Sequence, residues 1–573
     1  MMLSLIEISA VCIDRWLRRF HGILCLAGVM VLLLGCGSEP SFTREGESKA
    51  TQGTIREHPP YIRLPIDGAV TTLDPGLTED TASIELVEQL FLGLTDFDPE
   101  TYEPVPELAT HWRVSDDGLR YHFFLRRDAR WTNGRPVTAN DVVWALRRNI
   151  DPKIASPYVS MLYILKNAKS IHLGELEDVT MLGVEAVGDY EVVFTLEYAA
   201  AYFPSIVGLW VYRPLPRETI EVFAEDWTLP ENIQTNGSYT LDSWDKGSLL
   251  ILKKNMAYFD AANVAIPEVR YYVVVESSIG MTLYEKGELD LLGGNYLRLP
   301  IDEIWRIKVN PLLSRDYANE PQFCTYYYGF NTQKPPVDDP LVRKAIIAAI
   351  DRRLLIDIIT KGDEEAATTF TRPPIFGSVD PKEGVGIVFD PEQAQEWLAE
   401  AGYPNGRGFP EIDLLHNVSE THAKIAQAVA TFLRHYLNIR VRVQTLEWDD
   451  YLDVITPPTT PHLYRFGWCA DYPDANNWLY DVFHPTHSPN RIGWNNKGFM
   501  ERVERAQLSS DPQERKYLYR EAEKILTEEA AAILPLYFYT AQYLVKPRVK
   551  GWYSMELGGQ HIRNWSLKAV KSN

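Results

Sequence analysis

Between residues 119 and 125 every second position is apolar, and the positions between them include arginine and histidine. Successive side chains of a strand point to opposite faces, so this alternation predicts a half-buried β-strand after the turn at Asp116-Asp117-Gly118. Thr138, with Asp141 three positions later, forms a capping box, which is a start signal for a helix. The apolar residues that follow at helical spacing are Val142, Val143, Leu146 and Ile150. Residues 119–150 are therefore predicted to form a strand and then an amphipathic helix.

Two further helices are predicted between residues 390 and 437. The first begins at Asp390-Pro391 and ends at Gly402, which places a proline in its first turn and a glycine after its last. The second runs from about Thr421 to Leu437 and leads into residues 439–443, where apolar and polar residues alternate as in a strand. Their apolar faces comprise Ala394, Trp397, Leu398, Ala401, Ile425, Val429, Phe432, Leu433 and Tyr436. Helix followed by strand, repeated along one chain, indicates a mixed α/β fold.

The first sixty residues have the features of an export and anchoring segment. Three arginines precede an uncharged run from Gly22 to Leu34, which is shorter than the roughly twenty residues of a membrane-spanning helix. The run ends in Leu33-Leu34-Gly35-Cys36, which resembles the lipobox of bacterial lipoproteins, whose cysteine is lipidated and becomes the mature N-terminus. We predict a lipoprotein signal peptide over residues 1–35, and a lipidated Cys36 with a flexible tether over residues 36–60. The alternative is an ordinary secretory signal that contains a chance cysteine.

Length and charge restrict the class of protein. A chain of 573 residues is too long for one compact core and indicates several domains. The formal net charge of -21 makes nucleic acid an improbable partner, and we predict none. We expect an extracytoplasmic monomer held at a membrane only by the lipid on Cys36.

Only two cysteines follow Cys36 in the sequence, Cys324 and Cys469. Two cysteines in an exported protein predict one disulfide bond, with two buried free thiols as the alternative.

Motifs for catalysis and cofactors are missing from the sequence. It contains no G-x-x-x-x-G-K-[ST], H-E-x-x-H, G-x-S-x-G or C-x-x-C, so we predict no enzyme activity, no cofactor and no metal site. Aromatic residues make up 12% of the chain, with Tyr326-Tyr327-Tyr328 beside one cysteine and Trp468 beside the other. Aromatic side chains suit a binding cavity, although ordinary core packing is the competing interpretation.

Several long segments together resemble a known family. Leu73-Asp74-Pro75, QLFLGLTDF (89–97) and residues 108–148 resemble the large extracytoplasmic solute-binding proteins of peptide ABC importers, family 5. Four later segments resemble its oligopeptide-binding, OppA-like subgroup: NIQTNGSYTL (232–241), CTYYYGFNTQKPPVDDPLVRKAIIAAIDR (324–352), RFGWCADY (465–472) and YLVKPRVKGWY (543–553).

The resemblance implies a three-domain, periplasmic-binding-protein-like fold of the class II, cluster C type, in which two lobes close over the ligand as a clamp. Domain I, the first lobe, would be discontinuous and comprise residues 61–91, 217–322 and 539–573. Residues 92–216 would form the extra domain II, and residues 323–538 would form domain III, the second lobe. The family's disulfide lies at the positions of Cys324 and Cys469.

The resemblance also implies a peptide-binding site. A receptor for peptides of many sequences must bind the backbone and the termini, which all peptides share, and strand addition meets the first need. Asp471 matches the aspartate that binds the ligand ammonium, with an ordinary surface acid as the alternative. The other implied site residues are Tyr158, Glu79, Arg465, Trp468 and Trp448. For Trp448 a core position remains the alternative.

The sequence departs from the family where cationic residues would meet the ligand C-terminus. Ile455 and Thr360 stand at positions where arginine and lysine are expected, and Lys361 is a possible substitute one position away. Gln322 replaces an aromatic residue just before Cys324. How the ligand C-terminus is bound is therefore left open.

The resemblance implies an extracytoplasmic receptor that captures oligopeptides and delivers them to the permease subunits of an ABC importer. Relatives with the same fold bind murein peptides, nickel chelates, haem or sugars, so another small ligand is the nearest alternative. A lipid-anchored sensor or chaperone is the second alternative, and a hydrolase is the third.

Overall fold

The computed structural model describes residues 59–568, except 69, 362, 458, 486, 487 and 489. Cys36, the predicted signal peptide and nearly all of the predicted tether lie outside the described residues. Within the described part of the chain, no helix has both the length and the apolar character needed to cross a membrane.

The elements up to residue 330 begin with a strand and a helix and then include two groups of short antiparallel strands. The strands are β1 (Ile62–Ile66), β2 (Thr95–Phe97), β3 (Pro104–Pro106), β4 (Ala109–Val114), β5 (Arg120–Leu125), β6 (Val184–Ala186), β7 (Glu191–Thr195), β8 (Tyr239–Asp245), β9 (Leu249–Lys254), β10 (Glu268–Val273), β11 (Leu291–Gly293) and β12 (Tyr317–Phe330). The helices are α1 (Thr81–Leu90), α2 (Ala139–Asn149), α3 (Ala168–His172), α4 (Phe203–Ile206), α5 (Arg217–Phe223), α6 (Ser277–Glu285), α7 (Ile304–Val309) and α8 (Leu313–Asp316).

The remaining elements alternate helices with the strands of one large sheet. The helices are α9 (Pro340–Ala348), α10 (Arg352–Leu355), α11 (Pro391–Glu400), α12 (Glu420–Leu437), α13 (Trp448–Val454), α14 (Ala475–Phe483), α15 (Lys497–Leu508) and α16 (Pro512–Lys524). The strands are β13 (Glu365–Ala366), β14 (Ile412–Asn417), β15 (Val441–Leu446), β16 (Leu463–Cys469), β17 (Ile533–Val545), β18 (Val549–Lys550) and β19 (Ser566–Leu567).

Two four-stranded sheets organise the first half of the chain. One has the order β1-β10-β9-β8 and therefore combines strands from distant parts of the sequence. The other has the order β4-β5-β7-β6 and is antiparallel throughout. This mixture of sheets and helices is the predicted α/β fold.

The large sheet has the order β11-β17-β12-β16-β14-β15, with β13 beside β17. Its two long strands, β12 and β17, pair along most of their length, and their register shifts between Pro321 and Thr325. Beyond the shift, Tyr326 and Tyr328 point into one buried cluster, whereas Tyr327 points into another on the opposite face. Both faces of this sheet are therefore covered, as expected when helices alternate with strands.

The predicted elements are confirmed with small differences at their ends. Residues 120–125 form β5 with alternating burial, and Thr138 and Asp141 form the capping box of α2. The two later helices are α11 and α12. The strand after α12 begins at Val441 rather than Ile439, because the Ile439 N–H turns back to the carbonyl of Leu433 and closes the helix end.

Candidate functional site

A cavity of about 780 Å³ opens beside β12, β16 and β17. Its wall combines residues from parts of the chain that are hundreds of positions apart. They include Thr81, Ile84, Tyr158, Trp210, Asn295, Arg298, Gln322, Cys324, Ser419, His422, Arg465, Gly467, Cys469, Asp471, Tyr537, Tyr539 and Glu556. The cavity is large enough for a ligand of several hundred daltons.

One edge of β16 faces this cavity without a neighbouring strand. β16 pairs with β12 along its full length, but within the described chain β14 pairs with it only at Leu463 and Tyr464. The Ala470 N–H donates to the carbonyl of Phe323, and antiparallel pairing alternates, so Gly467 and Cys469 direct their backbone groups away from β12. Unpaired N–H and C=O groups on a strand edge can hydrogen-bond to an added strand.

Asp471 lies at the end of this edge and is mostly buried. Its Oδ2 accepts a hydrogen bond from Nδ2 of Asn477 at 3.1 Å, and its N–H donates to Oδ1 of the same residue at 2.8 Å. Burial raises the pKa of the Asp471 carboxyl, and the Asn477 hydrogen bond only partly opposes this. Among the described residues, no lysine, arginine or histidine forms an ion pair with Asp471. The carboxylate is therefore oriented and partly desolvated, and it has no cationic partner.

Two of the other predicted site residues lie near Asp471. Burial raises the pKa of Tyr158, and the negative charges of Asp471 and Glu79 add to the effect. Tyr158 lines the cavity, with its ring edge-on to Trp210 at 4.8 Å between centroids. Glu79 is exposed and does not line the cavity itself.

A positive charge occupies another part of the same wall. The guanidinium of Arg465 lies 4.6 Å from the centroid of the Tyr326 ring, and its Nη2 donates to the Tyr539 hydroxyl at 2.8 Å. No carboxylate of the described residues forms an ion pair with it. Burial, together with the charge of Arg465, lowers the pKa of nearby His422 to about 3, so its ring is neutral at neutral pH.

Cys324 and Cys469 form a disulfide bond, as predicted. They are direct partners across β12 and β16, and both line the cavity. The bond therefore joins the two strands at the site itself.

The last two predicted residues lie away from this cavity. Trp468 points to the opposite face of β16, where it lines a second cavity of about 110 Å³ with Tyr327, Phe466, Asp481 and Arg491. Its indole N–H is buried and has no acceptor among the described residues. Trp448 is half exposed on α13 and stacks on Tyr451, whose hydroxyl donates to the carbonyl of Arg465.

Of the residues that depart from the family pattern, only Gln322 is among those that line the cavity. Ile455 is fully buried in the core, and Lys361 is exposed and does not line the cavity, so neither contacts it. Thr360 donates to the Glu364 carboxylate at 2.8 Å. Gln322 does line the cavity.

Sequence reasoning did not identify several wall residues. They include Trp210, Asn295, Arg298, His422, Tyr537, Tyr539 and Glu556. Burial raises the pKa of Glu556 to about 7, and Ser554 donates to it. Their sequence positions carry no shared motif, because the fold assembles them from separate loops and strands. The one local signal available is strand alternation, which places Tyr537 and Tyr539 of β17 on the same face.

One cluster elsewhere has the residue types of a metal site. Ligand atoms of Glu88, Asp96 and His561 lie within 4.8 Å of one another. The guanidinium of Arg213 pairs with Glu88, and that of Arg563 pairs with Asp96 and Glu88. Since arginine already neutralises these carboxylates, the donor set does not fit a cation.

The fold and this site define a class of extracytoplasmic ligand-binding receptors. Residues 103–490 match the family model described as bacterial extracellular solute-binding proteins, family 5, middle region. The chain therefore belongs to that family, whose members are receptors for solutes.

Among curated relatives, the periplasmic oligopeptide-binding protein OppA of Salmonella typhimurium (strain LT2) is 32% identical over 501 residues, covering 86% of this chain and 90% of that protein. The probable deoxycholate-binding periplasmic protein YgiS of Escherichia coli (strain K12) is 31% identical over 497 residues, covering 84% of this chain and 88% of that protein. Overall similarity therefore does not separate these two ligand classes.

Two solved structures named MppA, a murein tripeptide-binding protein, are similar to this chain to different degrees. The unliganded open form has a TM-score of 0.80 at 30% identity, covering 88% of this chain and 97% of that one. Another structure, of the Escherichia coli protein, has a TM-score of 0.64 at the same identity, covering 88% and 98%. At equal identity and nearly equal coverage, this chain is therefore more similar in backbone geometry to the structure titled unliganded and open than to the other.

Proposed function

We propose that this protein is a receptor that captures oligopeptides outside the cytoplasm and delivers them to the permease of an ABC importer. The observation that carries the proposal is Asp471, a desolvated carboxylate without a cationic partner in the wall of a ligand-sized cavity. Leaving such a charge unpaired costs several kcal/mol, and a ligand ammonium would remove that cost.

The open edge of β16 would bind the peptide backbone. A peptide added alongside Gly467 and Cys469 would exchange hydrogen bonds that do not depend on its side chains. Asp471 lies just beyond this edge, so the same alignment would bring the ligand amino terminus to the carboxylate.

Arg465 would provide the opposite charge for the other end of the ligand. It lies six positions before Asp471 on nearly extended chain, a span of at most about 20 Å. A peptide of about three to five residues extends roughly 10–17 Å, so a ligand of that size would place its carboxylate near the guanidinium. Arg465 would therefore take the role of the cationic residues that the family pattern leads one to expect at positions 455 and 360, where this chain has isoleucine and threonine.

We propose the predicted domain boundaries as the two lobes of the clamp. The register shift in β12 between Pro321 and Thr325 lies opposite Phe538 and Thr540 of β17, so the pairing of these two continuous strands changes register next to the boundaries 322/323 and 538/539. The likeness to an unliganded open form supports closure on binding.

We also propose that the receptor is a monomer anchored by a lipid on Cys36 and that it catalyses no reaction. Mass spectrometry of the mature amino-terminal peptide tests the anchor: a diacylated cysteine is expected, and Cys36→Ser should abolish it. An unmodified mature terminus at another residue would favour the ordinary secretory signal.

Ligand identity is tested by native mass spectrometry and calorimetry on the purified protein. Peptides should give a heterogeneous mass increment of several hundred daltons, and free tetra-alanine should bind at least about tenfold more tightly than N-acetyl tetra-alanine. A homogeneous increment, or equal affinity for both peptides, would refute peptide binding through Asp471.

The resemblance to YgiS supports one second candidate, a receptor for an amphipathic carboxylate such as deoxycholate. Such a ligand lacks an ammonium and would leave Asp471 unpaired, while its carboxylate could still reach Arg465. Tight binding of deoxycholate that is unaffected by Asp471→Asn would favour this candidate.

A further inference from the structure

A row of apolar side chains is exposed on the segment that contains α7 and leads into α8. Ile301, Trp305 and Val309 follow one another at spacings of four residues, and Leu312 comes three residues later, after α7 has ended at the extended backbone of Asn310. Trp305 is 75% exposed and Leu312 72% exposed, whereas Ile307 on the opposite face is fully buried. We refer to these four residues as the 301–312 stripe.

The stripe lies in a part of the chain that is rich in exposed apolar residues. Of the 21 large hydrophobic residues that are exposed in the described chain, six lie between residues 275 and 312. The two outside the stripe are Val275 and Ile279, at the start of α6, which is joined to α7 by the ion pair between Glu285 and Arg306. Concentration of exposed apolar side chains on one face marks an interaction surface.

This surface lies on the opposite side of the large sheet from the cavity. In β17, Tyr539 lines the cavity and Tyr543 packs in the core on the same face. Leu544 points the other way, into the small buried cluster that contains Ile307 and Leu313 of the stripe-bearing helices. Closure over a ligand in the cavity therefore does not cover the stripe.

The described chain begins next to this surface. Nη2 of Arg548 donates to the carbonyl oxygens of Pro59 and Tyr61, both at 2.8 Å. Two residues earlier, Nζ of Lys546 lies 3.6 Å from Oδ2 of Asp316, the last residue of α8. A lipid on Cys36 would therefore be connected to the body of the protein at Pro59, close to α8.

Charge does not oppose an approach of this surface to a membrane. Residues 301–316 contain three acidic and three basic residues and are neutral overall, in a chain whose formal net charge is -21. Arg306 pairs with Glu285 and Glu303, and Lys308 pairs with Asp363, so these charges are balanced within the protein.

We propose that the 301–312 stripe rests in the headgroup region of the membrane to which the protein is anchored. The proposal rests on the lipid anchor of the proposed function. A tryptophan among aliphatic residues with basic neighbours suits the interface between headgroups and acyl chains. The stripe is a narrow ridge rather than a groove, which suits a lipid surface better than an inserted peptide.

A single label tests this on the mature acylated protein in phosphatidylcholine vesicles. Leu312→Cys is labelled with bimane; of the native cysteines in the mature chain, Cys36 is acylated and Cys324 and Cys469 are disulfide-bonded. Leu508→Cys, at a position that is 62% exposed on α15, is the matched control. Brominated acyl chains should quench the label at 312 about twofold or more and leave the label at 508 unchanged.

A second substitution tests whether the label at position 312 is quenched because the stripe itself contacts the lipid. Trp305→Ser should reduce the quenching at 312 by half or more, whereas Tyr517→Ser on α16 should not change it. Vesicle flotation reports the anchor separately: a protein that floats without quenching at 312 overturns the stripe proposal alone. A protein that does not float but is quenched at 312 supports the stripe and refutes the anchor. Absence of both refutes both proposals.

Two further outcomes would assign the surface to another partner. Shielding of the label that requires co-reconstituted permease would overturn lipid contact in favour of permease docking. Shielding in the absence of vesicles that rises with protein concentration would overturn it in favour of self-association.

Discussion

Two regions of this molecule bury charged side chains, and they differ in whether the protein supplies oppositely charged partners for them. Around Glu88, each carboxylate faces an arginine of the same chain. In the cavity, Asp471 and Arg465 lie in one wall, and neither has an ion-pair partner among the residues that the structure describes. The first arrangement is complete in the folded protein, whereas the second leaves both charges available to the proposed ligand. A buried charge therefore does not by itself identify a binding site. A buried charge without an oppositely charged partner in the protein does.

The completed cluster joins α1 to segments near both ends of the described chain. Arg213 pairs with Glu88, and Arg563 lies within ion-pair distance of Glu88, Asp96 and Glu107. Although burial opposes ionisation, the charges of His561 and Arg563 hold the pKa of Asp96 well below its usual range. Burial, aided by the charge of Asp96, raises the pKa of Glu107 to about 8. With Glu107 protonated, two carboxylates face two guanidinium groups.

The largest effect is expected from breaking the completed cluster. Arg563→Met should lower the free energy of unfolding by about 3–5 kcal/mol, because it leaves buried carboxylates uncompensated. Urea denaturation at pH 7 measures this loss. Peptide affinity of the protein that remains folded should stay within about twofold of wild type, since Arg563 does not line the cavity.

Arg520→Met is the matched control, because this arginine forms exposed ion pairs with Glu383 and Glu521. It should cost at most about 1 kcal/mol. Equal losses for the two variants would show that the cluster is not the compensated buried network described above.

The next largest effect is expected in the cavity, on binding instead of stability. Asp471→Asn should weaken binding of a free peptide by about 2–5 kcal/mol, because the ligand ammonium loses its partner. The same variant should leave the free energy of unfolding unchanged or raise it slightly, since a desolvated charge is removed.

Glu79→Gln is the control for this substitution, because Glu79 is near Tyr158 but exposed. Calorimetry should show a change below about 0.5 kcal/mol. If both variants bound as tightly as wild type, the ammonium would be bound elsewhere.

The contrast between the regions also explains what the sequence predicted. Local patterns were sufficient for β5, α2, α11 and α12, because alternation, capping and helix-stop residues act within a few positions. The disulfide was also predicted, since Cys324 and Cys469 follow a predicted export signal. The end of α12 at Leu437 was predicted correctly, but the strand after it was predicted to begin two residues too early, because the hydrogen bond that closes the helix end is a detail of backbone geometry.

The cavity wall was predicted only where it coincides with a recognisable segment. Asp471 and Arg465 lie in RFGWCADY, but Asn295, Arg298 and Glu556 come from segments without such a pattern. Trp468 shows the limit clearly: its segment was recognised, yet strand alternation directs it to the smaller cavity on the other face. Which side chains converge depends on tertiary pairing, which periodicity does not encode.

The pH dependence of peptide binding should test the role of Asp471 separately from that of the cluster around Glu88. Burial raises the pKa of Asp471 in the free protein, and a bound ammonium would favour its ionised form, so binding at low pH must displace a proton. Affinity for a free peptide should be highest between the pKa of Asp471 and that of the ligand ammonium, about 8, and should fall by up to about tenfold per unit below the pKa of Asp471. N-acetyl peptides should not show this fall.

Asp481 is the neighbouring group that needs a control, because burial raises its pKa to about 6 and it shares the amide of Asn477 with Asp471. Asp474, Glu79 and Tyr158 are the other titratable groups nearby. Asp481→Asn should remove any step near pH 6 and retain the fall at lower pH. A fall that disappears entirely in this variant would assign the titration to Asp481.

The smallest effect is expected from the one carboxyl of the completed cluster that keeps its proton. The folded-state pKa of Glu107, about 8, exceeds its unfolded value, so the stability that its protonated form contributes is lost as pH rises towards 8. Relative to wild type, Glu107→Gln should therefore become more stable by about 1 kcal/mol per pH unit between roughly pH 5.5 and 7.5. Paired urea titrations of the two proteins measure the difference and cancel the contribution of Glu85, whose pKa burial also raises to about 8. A difference that is flat across this range would mean that Glu107 is ionised at neutral pH, and that the cluster holds three negative charges against its two arginines.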